Sequence, residues 1–212
     1  MLEFTQKEKT LLKKLNTPAK VQDYLNSLEF NFEEDGKDVI KSPIRVMREK
    51  KAHCMEGAVL AAYILSLHKN KPMILHLQTE KGDYDHVIAL FKQNGLWGAI
   101  SKTNHAVLRY REPVYKTVRE LVMSYFHEYF LNSNGKKTLR RYSSLLELSK
   151  NKFCKNWEVS EEDLWEIDEE LDKIKHFDIA PKSVFKNLRK ADKIETEAGK
   201  IEEYKKSKKF KK

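Results

Sequence analysis

Apolar residues recur at two different spacings along this chain, and the change of period divides it. In the first part they fall at helical spacing: Leu11, Leu12 and Leu15 within residues 5–15, then Val21, Tyr24, Leu25 and Leu28 after Thr17-Pro18. Thr before Pro marks a helix start, because the Thr hydroxyl accepts a first-turn N–H and Pro has no N–H to lose. The polar stretch 31–41 around Asp35-Gly36 predicts a loop. Ser42-Pro43 predicts a turn or short helix with Val46 and Met47 facing inward. Residues 54–67 are apolar on nearly every face, which predicts a central, buried helix.

Lys69-Asn70-Lys71-Pro72 ends that helix, and the pattern turns strand-like. Met73 to Gln78 reads as a buried strand, followed by a loop at 79–84 containing Gly82. Strands follow at 85–92 and 96–101, joined by Lys92-Gln93-Asn94-Gly95. Asn-Gly favours the positive φ of a tight hairpin. Residues 113–131 predict a long aromatic-rich helix opened by Pro113 and closed by Asn132-Ser133-Asn134-Gly135. Ser160-Glu161-Glu162-Asp163 predicts another helix start, with Leu164, Ile167, Leu171 and Ile174 as its buried stripe. Pro181 opens a last helix whose narrow stripe (Val184, Leu188, Ala191, Ile194) is expected to dock on the body. No internal repeat is visible. The expectation is an α+β fold: a buried helix on an antiparallel sheet, flanking helices and a basic C-terminal helical tail. Its divisions are N-terminal helices over 1–50, a core with a helical extension over 51–180, and a basic helix and tail over 181–212.

Composition narrows the function. With 40% hydrophobic residues, 212 residues suffice for a packed core. No apolar run is long enough to span a bilayer, and Met1 to Lys7 lacks the pattern of a secretory leader. Two cysteines, Cys54 and Cys154, do not make a disulfide framework. A reducing cytoplasm is the expected location. From Lys182 onward there are twelve Lys or Arg against five Asp or Glu, which accounts for +7 of the net +9. A nucleic-acid contact can therefore rest only on the tail, and only weakly, because Phe185, Tyr204 and Phe210 are its sole aromatics. Lysine-rich ends also serve solubility alone.

The order of three polar residues is the chemical signal. Cys54 opens the buried helix, His86 opens a strand about thirty residues later, and the next strand ends in Ser101-Lys102-Thr103-Asn104. A helix N-terminus lowers a thiol pKa, and a nearby imidazole can take its proton. His53 adjoins the thiol and would also stabilise a thiolate. The remaining histidines, including His76 and His105, lack the paired spacing of a zinc site, and His127 reads as packing or surface. Cys154, between Phe153 and Lys155, reads as a structural or exposed thiol. No Gly-rich phosphate loop is present, so no cofactor is expected.

From His53 to about Asn104 the chain resembles the transglutaminase-like superfamily, a branch of the papain-like cysteine enzymes. The matching positions are Cys54, Glu56 and Ala58 in the helix, His86-Val87-Ile88-Ala89-Leu90 in the strand, and the Trp97-bearing strand that follows. The resemblance implies a cysteine-dependent acyltransferase or amide hydrolase in which Cys54 attacks and His86 moves the proton. The family's Asp position falls on Ser101, which carries no charge. Ser101 or Asn104 would orient His86, with Asp83 or Asp85 as further candidates. A peptide or protein substrate would follow. The alternative is a non-catalytic module of the same fold that binds a peptide or protein partner, a reading the missing Asp favours. The sequence leaves the oligomeric state open.

Overall fold

A computed structural model describes residues 2–33, 37–150 and 155–203. Two capped helices open the chain, α1 (Gln6–Lys14) and α2 (Pro18–Asn26), with Thr5 and Thr17 accepting first-turn N–H groups. A short parallel ribbon, β1 (Glu29–Phe30) with β2 (Lys51–Ala52), brackets α3 (Pro43–Glu49). Then come α4 (Cys54–Leu67), β3 (Met73–Thr79), β4 (His86–Gln93), β5 (Leu96–Ile100) and β6 (Arg111–Tyr115). The chain continues through α5 (Val118–Phe126), β7 (Leu139–Ser143), β8 (Leu146–Glu147), α6 (Trp165–Lys173) and β9 (His176–Asp178), and ends in α7 (Lys182–Phe185) and α8 (Lys193–Gly199). The main sheet is antiparallel in the order β6-β5-β4-β3-β7-β9, with β8 also pairing β3. The class is α+β.

Both faces of this sheet are covered, which is why β3 and β4 read as unbroken apolar runs. Ile74, Val87, Ala89, Phe91 and Ile100 face α4. Leu75, Leu77, Ile88, Leu90 and Ala99 face Leu121, Val122 and Tyr125 of α5. The far sides of α4 are closed by Leu12, Val21, Leu25, Val46 and Met47 from α1–α3 and by Ile167 and Leu171 from α6. Asn94 and Gly95, both at positive φ, make the tight β4–β5 turn.

Three expectations are corrected. The helix over 113–131 is instead edge strand β6 followed by a shorter α5. Pro113 lies on the sheet edge, where a missing N–H costs nothing, and the helix starts at Thr117, whose hydroxyl accepts from Glu120 N at 3.1 Å. The helix expected from Ser160 begins at Trp165. Among the described residues the tail holds two short helices, not one, and Val184 and Ile194 of its supposed docking stripe are 45% and 80% exposed. The tail does join the body through residues 201–203: Ala106 N donates to Ile201 O (3.0 Å) and Glu203 N to Asn104 O (2.8 Å). Among the described residues no helix is long and apolar enough to cross a membrane.

One close approach fixes the start of α4. Lys102, 1% exposed, runs across the helix and donates from Nζ to the carbonyls of Leu25 (3.0 Å) and Leu28, at and beyond the C-terminal end of α2. Burial pulls its pKa down to about 8. A Cβ on Gly57 would sit 2.4 Å from Lys102 Cβ. In an open helix Gly→Ala gains about 1 kcal/mol. Here the sign reverses, and Gly57→Ala is expected to cost about 1–3 kcal/mol in urea unfolding through overpacking. An unchanged or higher midpoint would refute this packing.

Candidate active site

The Cys54 end of α4 is held by a buried acid. Glu56 is fully buried and accepts from His53 N (2.9 Å), Lys41 N (3.2 Å) and Asn31 Nδ2 (3.2 Å). It thereby ties Asn31 and Lys41 to the first turn of the helix. Its neighbour His53 caps α4: Met55 N donates to Nδ1 at 3.2 Å, and Nε2 lies 2.7 Å from Val39 O.

Cys54 is half-buried at the first position of α4. Burial opposes its ionisation. Hydrogen bonds from His53 and His86, and their positive charge, outweigh burial and hold the thiol well below its ordinary value. Burial likewise pulls His53 down, but Cys54, Glu56 and the Val39 carbonyl together push it up to about 9. The long Met55 bond requires an unprotonated Nδ1; a proton there replaces it, the gain being the charge on the neighbouring sulfur.

His86 opens β4 and is buried. Its Nε2 lies 2.7 Å from Ser101 Oγ, and that hydroxyl donates to Leu108 O at 2.6 Å. A hydroxyl has one proton. With it committed to Leu108, Ser101 accepts from His86, which places the imidazole proton on Nε2 and leaves Nδ1 as the basic nitrogen. Ser101 is itself fixed by Gln22 of α2, whose side-chain amide pairs with both of its main-chain groups (Ser101 N to Oε1, 3.0 Å; Nε2 to Ser101 O, 2.8 Å).

The other candidates for the third position lie elsewhere. Asn104 is buried, and no hydrogen bond joins its side chain to the ring. Asp85 accepts from Thr79 N (2.7 Å) and Oγ1 (2.8 Å) and lies 2.9 Å from His76 Nε2; against the effect of burial, these partners hold it below the usual carboxylate value. Asp83 accepts from Tyr84 N (2.9 Å) and the Thr138 hydroxyl (2.5 Å). His76 Nδ1 also meets His176 Nε2 at 3.3 Å. Among the described residues no group of three or more His, Cys, Asp or Glu could hold a metal ion. Cys154 lies outside the described residues.

Two participants escaped the sequence reading. Gln22 left one signal, a polar side chain beside the apolar stripe of α2. Tyr129 is buried, with a hydroxyl that has no hydrogen-bond partner among the described residues. Burial first, then the negative charge of Cys54, Asp83 and Asp85, raises its pKa well above the ordinary phenol value. No protein-family model matches the chain, and no curated protein matches it in sequence.

The hydrogen-bond polarity at Ser101 yields a test of proton supply. Asn can both accept from His86 and donate to Leu108 O, whereas Ala can do neither. Ser101→Asn is expected to keep Cys54 alkylation by iodoacetamide about tenfold faster than Ser101→Ala does, the worth of one hydrogen bond. Equal rates in the two variants would sink the relay.

Proposed function

We propose that this chain is a transglutaminase-like cysteine enzyme that transfers or hydrolyses acyl groups through Cys54 and His86. The observation that supports it most is the His86–Ser101–Leu108 relay, which leaves a basic nitrogen for the half-buried thiol at the start of α4. In this reading Cys54 Sγ attacks the carbonyl carbon of an amide or ester, and its proton passes to His86 Nδ1. The oxyanion is met by the Cys54 N–H, which has no intrahelical partner because it lies in the first turn. The Tyr129 hydroxyl, buried with no hydrogen-bond partner among the described residues, lies within the electrostatic reach of Cys54. Collapse expels the leaving group with the proton from His86 and leaves a thioester on Cys54. An incoming amine or water, deprotonated by His86, then releases the acyl group. Peptide or protein amides are the substrate class proposed.

A second reading, a non-catalytic module that binds a peptide or protein partner, draws support from the absence of a carboxylate on the His86 ring. Weak nucleic-acid contact would rest on the tail lysines beyond the described residues.

Reactivity decides between the first two. At neutral pH Cys54 should react with iodoacetamide roughly tenfold faster than Cys154, since an ordinary thiol is only a few per cent thiolate there. The sign with pH follows from the lowered thiol: below about pH 8 its rate should fall less steeply than that of an ordinary cysteine near 8.5, which loses about tenfold per unit. With p-nitrophenyl acetate, a burst of p-nitrophenolate that disappears in Cys54→Ser and falls at least tenfold in His86→Ala is expected. A Cys54 no more reactive than Cys154, with no burst, would leave the binding module.

A further inference from the structure

We infer that Glu128 is the positioning carboxylate of this site, acting on His86 through Leu108 and Ser101; the inference rests on the Cys54–His86 reading above. Leu108 is held at both ends. Its carbonyl takes the Ser101 proton at 2.6 Å, and its N–H donates to Glu128 Oε2 at 2.7 Å. The other oxygen of Glu128 pairs with Arg111 at 2.7 Å, and the Arg111 guanidinium lies 4.0 Å from the centre of the Tyr125 ring. The series His86, Ser101, Leu108, Glu128, Arg111 is thus continuous, and each link has its donor and acceptor assigned.

Two independent features mark this as a built arrangement. Leu108 adopts φ of 60°, a left-handed conformation that a leucine rarely takes and that must be held by its surroundings. Glu128 lies just beyond the C-terminal end of α5, where its N–H still bonds Tyr125 O. A carboxylate there is opposed by the helix dipole. Both conformational and electrostatic costs are met at one place, and their common product is the direction of the Leu108 carbonyl. That direction decides which way the Ser101 proton points, and hence which nitrogen of His86 is basic. The carboxylate that the resemblance places beside the histidine is here three links away, and acts by orientation instead of by direct charge.

The test separates this inference from the proposed chemistry. In a Cys54→Ser background, where no thiolate is present, 15N chemical shifts of the neutral His86 ring report its tautomer. The Nε2–H form is expected. Adding Glu128→Ala should shift the ring toward the Nδ1–H form or a mixture, whereas Glu128→Gln, whose carbonyl still accepts from Leu108 N, should preserve it. With Cys54 intact, Glu128→Ala should slow iodoacetamide labelling at neutral pH about tenfold, as expected for loss of one hydrogen bond, with recovery in Glu128→Gln. Thr117→Ala, which weakens the other end of α5 without touching Leu108, serves as the control for general loosening and should leave both readouts unchanged. An unaltered His86 tautomer in Glu128→Ala overturns the inference, as does an equal effect from Thr117→Ala. If the tautomer responds as expected while the intact protein shows no fast labelling, the positioning role stands and the enzyme reading falls.

Discussion

The helix Cys54–Leu67 has apolar side chains around its whole circumference, so it must be covered on every side. That requirement arranges the rest of the molecule. One face takes the sheet through Val87, Ala89 and Phe91, and the others take α1–α3 and α6. A helix so enclosed cannot rotate or slide without opening the core, because interiors pack at crystal-like density. The fixity extends to its first turn, where Glu56 gathers three N–H groups from three separate positions. The half-buried thiol of Cys54 therefore emerges from one of the least adjustable parts of the chain, while the imidazole of His86 comes from a different element.

That partner is governed by the count of protons on one hydroxyl. Ser101 offers two lone pairs and a single O–H, and the Leu108 carbonyl claims the O–H. What remains can only accept, so the serine defines the histidine tautomer as firmly as a carboxylate does. It does not supply the negative charge that steadies an imidazolium. The positive charge at Cys54 is instead shared by two imidazoles, His53 and His86, both of which lower the thiol against the effect of burial. A thiolate stabilised from two sides relies less on either ring, which is a physical reason for the site to persist without a carboxylate at position 101.

Much of this was legible from local pattern. The α4 helix and the hairpin at Asn94-Gly95 were readable because period and turn chemistry act within a few residues. The helical reading of Pro113 failed because proline suits both a first helical turn and a sheet edge, and the pairing with β5 (Trp97 with Tyr115, Ala99 with Arg111) distinguishes them. The strand Leu139–Ser143 carries Arg140, Arg141 and Tyr142 in its middle, and is a strand because it pairs with β3 some sixty residues earlier. In the tail the helices span only four and seven residues, too short to bring Val184 and Ile194 onto one face. At the site, the order of Cys54, His86 and Ser101 was visible as residue types. Leu108 was not, since its contribution is a backbone carbonyl that every residue possesses. Glu128 and Gln22 act through main-chain groups distant in sequence, which leaves no motif.

Alternation at the end of β5, and the bend that follows it, explain why Ser101 and not Asn104 meets the histidine. Ser101 turns toward His86, whereas Lys102 turns the other way, to the carbonyls ending α2. Were that alternation to continue, Asn104 would share the side of Lys102, away from the ring. The chain bends instead, with His105 N donating to Thr103 Oγ1 at 3.1 Å, and its backbone is taken up by the tail through Ile201 and Glu203. Glu203 also pairs with Arg109 at 3.1 Å. The stretch 104–109 is thus bracketed, with the tail on its first half and Glu128 on Leu108. The basic tail consequently has two parts of opposite character. Its acidic residues 202 and 203 face His105 and Arg109 and belong to the loop that orients the relay, while the excess of positive charge lies in the lysines that follow.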